Sequence, residues 1–305
     1  MDQGVETIDG VVLSWYPFDA GLPMAAELVA GGGATSLAGR STGTVVERLA
    51  WVPRRRLVLG VGDRVVKLDA DPERVALGVD TLRRLRSVPG IVVPEVIDHD
   101  AADGVFVQQR LPGRGAERTD AMALVDDAAQ IVRALQGVDP AGLPTLDSAS
   151  LVEACEPVMA LVAFARPDLA DRIEAIRTKL GSTMPIAGPL LPAHGDFNVS
   201  QLLIGPDGTI GLVDTDTLAL APVGFDLASY AANLVAGRKG DLDDADGVLE
   251  ALRSAAGEPM PDLDWLYAVC LLRRLDRPIR RYKRRWSSRI DRLLHDVEVV
   301  IARLA

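Results

Sequence analysis

The chain changes its hydrophobic period once, near residue 113, and that change narrows the folds open to it. Before it, apolar residues come in short β-type runs: Thr44–Trp51, Leu57–Leu59, Arg64–Leu68 and Val105–Val107, punctuated by Pro53, Gly60 and Gly62. Val92, Val93, Val96 and Ile97 read as a further strand. One helix interrupts the strands. Asp71 can cap it, Pro72 suits its first turn, and Val75, Val79, Leu82 and Leu85 share a face. After residue 113 the spacing becomes helical. Leu124, Ala128, Ile131 and Leu135 mark one face; Leu169, Ile173, Ile176 and Leu180 mark another. Leu227, Tyr230, Ala231 and Leu234 mark a third, with Asp226 placed to cap it. A sheet-rich part is thus followed by a helical part, joined near Leu111–Gly115. Segregated elements of this kind define the α+β class.

At 305 residues and 48% hydrophobic, the chain can bury the core of one large domain or two ordinary ones. No run of apolar residues reads as long enough to span a bilayer, and the first ten residues carry acids where a secretory signal carries lysine or arginine. A cytoplasmic protein without a membrane partner is expected. Its two cysteines, Cys155 and Cys270, are then expected to be buried and reduced, and the sequon Asn198-Val199-Ser200 accidental. A net charge of −10 argues against a nucleic-acid partner. One segment runs the other way: Arg273–Arg289 holds nine basic residues against Asp276 alone. It reads as one face of a terminal helix paired with acids elsewhere, or, with Tyr282 and Trp286 interleaved, as a site for an anionic acceptor or nucleic acid. Gly31–Gly33 and Gly60–Gly62 read as turns, since neither precedes the lysine and hydroxyl residue of a Walker loop.

The chemistry concentrates at His194-Gly195-Asp196-Phe197-Asn198-Val199-Ser200-Gln201, between two apolar stretches. Gly205-Pro206-Asp207-Gly208 is a turn between Gln201–Ile204 and Thr209–Val213, so a hairpin is expected. Pairing Ile204 with Thr209 sets Gln201 opposite Leu212, beside Asp214, with Asp196 just upstream. A carboxylate and a carboxamide are hard oxygen ligands suited to magnesium, and a further carboxylate can take a hydroxyl proton. Metal, base and donor alignment are the minimal requirements of phosphoryl transfer.

These residues resemble the catalytic loop of the aminoglycoside phosphotransferase and choline kinase family, small-molecule relatives of protein kinases. That pattern runs His-Gly-Asp, four residues, Asn, then an acid pair after a hairpin. Here it reads His194-Gly195-Asp196, Gln201 and Val213-Asp214-Thr215-Asp216, and Phe225-Asp226-Leu227-Ala228 is similar to the family's helix start. Glutamine replaces the usual asparagine, as in sugar kinases of the maltokinase and glucosamine-kinase type. The resemblance implies a protein-kinase-like, two-lobed fold: a nucleotide-binding lobe with an antiparallel sheet over residues 1–110, and a larger helical lobe over 111–305 carrying the catalytic loop and acceptor site. It implies Asp196 as base, Gln201 and Asp214 as magnesium ligands, Asp216 as an aid to a second ion, and His194 as a brace for the loop. It also implies Lys67 as the phosphate-gripping lysine, and the backbone of Gln109 and Leu111 as the adenine contact.

Spacing from Leu85 puts the helix glutamate that usually holds this lysine near Gly78, leaving Asp214 as a partner. No glycine-rich loop joins the first strands. Arg54–Arg56 stand there, either as bidentate phosphate donors or as a solvated turn. Asp241, Asp243, Asp244 and Asp246, with Asp262 and Asp264 beyond, form an acidic patch that could attract an aminated acceptor or simply be solvated. The reading that follows is an ATP- and Mg2+-dependent kinase, with GTP as the alternative nucleotide, acting on a hydroxyl of a sugar, amino sugar or aminoglycoside-type antibiotic. A nucleotide-binding pseudokinase with a regulatory role is the alternative. The sequence does not name the acceptor or the oligomeric state.

Overall fold

The structure, a computed structural model, describes residues 5–8, 11–14, 16–30, 46–186, 188–237, 240–281 and 283–304. The turn expected at Gly31–Gly33, the first two residues of the run from Thr44, and Tyr282 lie outside these. The chain forms two compact units. The first comprises residues 1–87, 92–114 and 203–216; the second comprises 88–91, 115–202 and 217–305. The sequence drew a single boundary at residue 110, whereas the first unit also takes in the hairpin segment 203–216.

In the first unit, β1 (Val5–Ile8) pairs antiparallel with β2 (Val11–Ser14). The main sheet follows: β3 (Val46–Val52), β4 (Arg56–Val61), β5 (Arg64–Asp69), β6 (Val96–Asp100) and β7 (Val105–Gln109), in the order β3-β4-β5-β7-β6 and antiparallel throughout. Alternation sorts its side chains. Leu57, Leu59, Val61, Val66, Leu68, Val105 and Val107 form a core with Leu22, Ala25 and Leu28 around the helix Met24–Ala30. The opposite face carries Val58, Val65, Lys67, Phe106 and Gln108, by the pairings Val58↔Lys67, Lys67↔Phe106 and Val65↔Gln108. The strand expected from Val92 starts only at Val96. Pro94 has no N–H to give a ladder, and Val92 makes an isolated bridge to Gly211 instead.

The helix Pro72–Arg86 begins as expected, with the Asp71 carboxylate accepting from the Glu73 N–H, and it buries Val75, Val79, Leu82 and Leu85. Its Gly78 faces this second sheet face: a Cβ there would stand 3.6 Å from the Phe106 ring and 4.0 Å from Asp216.

The second unit is helical. Its centre is the helix Phe225–Ala236 packed on Leu263–Leu272, both buried almost all round. Helices Val125–Leu135, Ala170–Ser182, Leu242–Ala256 and Trp286–Ile301 surround them. Strands Leu190–Ala193 and Ala219–Pro222 pair as a short ribbon, Ala193 opposite Ala219. One expectation is corrected here. Residues Ser148–Ala165 form an 18-residue stretch of mean hydropathy 1.5 that is, by length and composition, apolar enough to cross a membrane. It is divided into helices Ser148–Glu153 and Glu156–Ala165, and two glutamates sit at the break. Both cysteines are free and buried, and burial pushes the Cys155 thiol up to about 12.

Candidate active site

The first unit gathers three cations around two acids. Lys67 sits on β5, the central strand, so it is not an edge lysine; its side chain is 13% exposed and Nζ lies 5.3 Å from the Phe106 ring centroid. Nζ is 3.7 Å from Asp214 Oδ1. Arg56, at the start of β4, places Nη1 3.2 Å from Asp214 Oδ1 and 3.2 Å from Asp216 Oδ2. Arg74, from the first turn of the Pro72–Arg86 helix, reaches Asp216 at 3.5 Å and Asp69 at 3.6 Å. Burial works to raise the Asp216 carboxyl, but Lys67 and Arg56 hold it below the ordinary carboxylate range. Asp214 itself adopts φ +60°, a left-handed conformation that few non-glycine residues take and that asparagine and aspartate tolerate better than most. The sequence singled out Lys67 and Asp214, which the structure brings together, and left the role of Arg56 open. It missed Arg74, whose only signal was a basic residue one turn from a phosphate-gripping strand.

Next to these, the Gln109 N–H is taken by the Glu95 carbonyl (2.8 Å) and the Arg110 N–H by that of Asp63 (2.8 Å). No partner for the Leu111 N–H occurs among the described residues.

In the second unit the ribbon delivers the loop 194–201, and the loop is locked by long-range bonds. Asp226 does not cap its helix. Gly224, at φ +89°, takes that place, and Asp226 turns back with Oδ2 accepting from the His194 N–H (2.7 Å) and Oδ1 from the Gly195 N–H (3.1 Å). Burial raises its carboxyl above the ordinary range against the pull of His194 and the two N–H groups. Thr217 Oγ1 donates to the His194 carbonyl at 2.8 Å. Gly195 has φ +88°, and a Cβ there would stand 2.1 Å from the Thr217 carbonyl oxygen, so only glycine fits. Phe197, fully buried, anchors the loop between the His194 ring (5.7 Å) and the Tyr230 ring (5.6 Å); burying such a side chain contributes about 1.5–3 kcal/mol.

Between these fixed points the Asp196 side chain stays 44% exposed. Its Oδ1 accepts from Nη2 of the buried Arg274 at 3.0 Å. The basic segment is therefore not one helical face. It runs through the end of helix Leu263–Leu272, the short helix Arg277–Arg280 and the start of Trp286–Ile301, and its second residue reaches the expected base.

Gln201 is also placed differently from expectation. It ends a 3-10 turn, Val199–Gln201, rather than opening the strand, and its Oε1 accepts from the Asn198 N–H at 3.1 Å. A carbonyl oxygen has two lone pairs, so one stays available. Gln201 belongs to the second unit and Asp214 to the first. Among the described residues no group of three or more His, Cys, Asp or Glu side chains could by itself hold a metal ion. Asp214 and Gln201 each present a hard oxygen of the kind magnesium takes alongside water and phosphate.

A lysine and paired acids on a five-stranded antiparallel sheet unit, with a His-Gly-Asp loop on a helical unit, define a small-molecule kinase of protein-kinase-like fold. The chain belongs to the phosphotransferase enzyme family, whose sequence profile matches residues 49–268. Among solved structures it is similar to a choline/ethanolamine kinase family protein from Mesorhizobium loti, at 16% identity and TM-score 0.63, over 91% of this chain and 95% of that one. Macrolide 2'-phosphotransferase MphH from Brachybacterium faecium is 19% identical, with TM-score 0.57 over 88% and 97% of the two chains. Aminoglycoside phosphotransferase APH(3'')-Id from Streptomyces rimosus, solved with ADP and streptomycin, is 18% identical, with TM-score 0.57 over 81% and 98%. No curated protein matches the chain by sequence.

Proposed function

We propose that the chain transfers the terminal phosphoryl group of ATP, with magnesium, to a hydroxyl of a small sugar-like acceptor. The observation that carries this is the state of Asp196: half-exposed on a loop otherwise locked by Asp226, Thr217 and Phe197, with one carboxylate oxygen fixed by Arg274. Its second oxygen can accept the hydrogen bond of the acceptor hydroxyl and then its proton, as the hydroxyl oxygen bonds to phosphorus and the nucleoside diphosphate leaves. Lys67 supplies positive charge for the phosphates, and Asp214 and Gln201 are the residues that would hold the metal. Bound magnesium would neutralise phosphate charge and align the donor. The Streptomyces rimosus enzyme, solved with ADP, supports nucleotide use.

Part of the acidic patch is engaged within the chain, which weakens it as an attractor for an aminoglycoside. Asp241 caps the helix Leu242–Ala256, Asp244 meets Arg118 at 3.3 Å, and Asp246 is paired with Arg303. A sugar, amino sugar or aminoglycoside-type antibiotic remains the acceptor class.

The test is turnover across a panel of hydroxyl compounds, run with ATP and with GTP, and with Asp196→Asn as control. Transfer should nearly vanish in the variant while ATP affinity stays largely intact; unchanged turnover removes Asp196 as base. A second reading, a regulatory pseudokinase, is favoured by Gly78. It stands where a helix glutamate would meet Lys67 and offers no carboxylate. Nucleotide binding without turnover of any acceptor would support it.

A further inference from the structure

The surroundings of Asp196 within the second unit are more cationic than a base requires. Arg274, 2% exposed, already balances the carboxylate. It donates to Asp196 Oδ1 (3.0 Å), to Ser229 Oγ (2.8 Å) and to the Cys270 carbonyl (2.8 Å). A second guanidinium follows it. The Arg277 N–H donates to the Arg274 carbonyl at 3.1 Å, so the two residues stand one turn apart. The neighbouring arginines are engaged: Arg273 lies over the Phe225 ring at 5.6 Å, and Arg280 pairs with Asp276 at 2.6 Å. The Arg277 side chain has no hydrogen-bond or ion-pair partner among the described residues. Burial and Arg274 push its guanidinium down to about 9, and Asp196 pulls it the other way, so the residue stays charged at neutral pH within the field of the base.

A half-buried cation without a counter-ion keeps its charge available, and such a group marks a place where a ligand can supply the missing charge. The carboxylate of Asp196 cannot supply it, because Arg274 has claimed it. We propose that the acceptor carries an anionic group, a carboxylate or a phosphate monoester, near its reacting hydroxyl, and that Arg277 binds that group. The planar fork of arginine suits both anions, and the same excess of positive charge repels an amino sugar. This rests on the kinase reading for the place of the hydroxyl beside Asp196.

The test uses the full chain with magnesium and a non-hydrolysable ATP analogue. Calorimetry compares D-glucose, D-glucuronate, D-glucose 6-phosphate and D-glucosamine. One of the two anionic members should bind at least about tenfold tighter than glucose, a difference of about 1.4 kcal/mol, with glucosamine weakest. The two anionic arms separate carboxylate from phosphate. In Arg277→Met that preference should disappear, Arg277→Lys should restore part of it, and the melting temperature of Arg277→Met should equal or exceed that of the wild type. The proposal is overturned if glucose or glucosamine binds wild type as tightly as both anions. It is overturned equally if Arg277→Met melts lower and weakens all four compounds alike, which is the mark of a structural residue. Binding of the nucleotide analogue is read separately. If it fails to bind with magnesium, the kinase reading falls, and the same sugar series run without it still decides the role of Arg277.

Discussion

Gly195→Ala perturbs the most tightly determined point of the catalytic loop. The added Cβ would stand 2.1 Å from the Thr217 carbonyl oxygen and 3.3 Å from the Thr217 Cβ. Relief to an ordinary carbon–oxygen separation of about 3.3 Å requires the two strands of backbone to part by more than ~1 Å. The left-handed φ of +88° must also be held by alanine, at about 1–2 kcal/mol. Two bonds are strained by the separation: Thr217 Oγ1 to the His194 carbonyl, and the Gly195 N–H to the Asp226 carboxylate. A neutral hydrogen bond contributes about 1 kcal/mol and a charge-assisted one about 1.5–3 kcal/mol. The total is roughly 3–6 kcal/mol, which for a unit of this size lowers the melting temperature by about 6–24 °C. A displacement of Asp196 by about 1 Å lowers kcat about 100-fold. Scanning calorimetry reads the first effect, turnover of whichever acceptor proves best reads the second, and nucleotide affinity should change little. A variant melting within about 2 °C of wild type, with turnover within about threefold, would refute the view that this loop is locked by Thr217 and Asp226.

Asp226→Asn leaves one carbonyl oxygen for two buried N–H donors; a loss of about 2–4 kcal/mol in chemical denaturation is expected, together with reduced turnover, and unchanged stability would show that the loop is held otherwise. Asp214→Ala should weaken magnesium-dependent nucleotide binding by about tenfold or more, and equal binding in calorimetry with and without magnesium would remove it as a metal ligand. The depressed carboxyl of Asp216 makes a signed prediction. Its stabilising contribution is present above the unfolded value of about 3.9 and is lost as pH falls through the lower folded value. Melting temperatures followed from pH 6 downward should therefore fall more steeply below about pH 4 in wild type than in Asp216→Asn, and parallel curves would contradict it.

What could be read without coordinates was what is local. The strand-to-helix change, the cap at Asp71, the turn at Gly205–Gly208 and the order of acids after His194 depend on neighbours within a few residues. What escaped depends on contacts far apart along the chain. Asp226 looked like a cap because it opens a helix; its partners, His194 and Gly195, lie about thirty residues upstream, and only the ribbon register brings them near. Arg274 is 78 positions from Asp196, and Arg56 is 158 from Asp214. Gln201 was assigned to the strand because apolar residues follow it, yet its own carboxamide closes a tight turn with Asn198 and the strand starts one residue later. An unusually dense run of arginines was visible in the sequence. That it would supply both a partner for the base and an unpaired charge was not, since periodicity reports faces and not destinations.

The guanidinium of Arg56, lodged against both Asp214 and Asp216, is a resident counter-ion for the two acids. On the proposed function, a divalent ion arriving alone would have to compete with that guanidinium for the two carboxylates. Arriving with a polyphosphate, the same ion brings the arginine a new home. Metal and nucleotide should accordingly help each other on, each raising the affinity of the other by the same factor, and an ion without phosphate should find this protein a poor chelator.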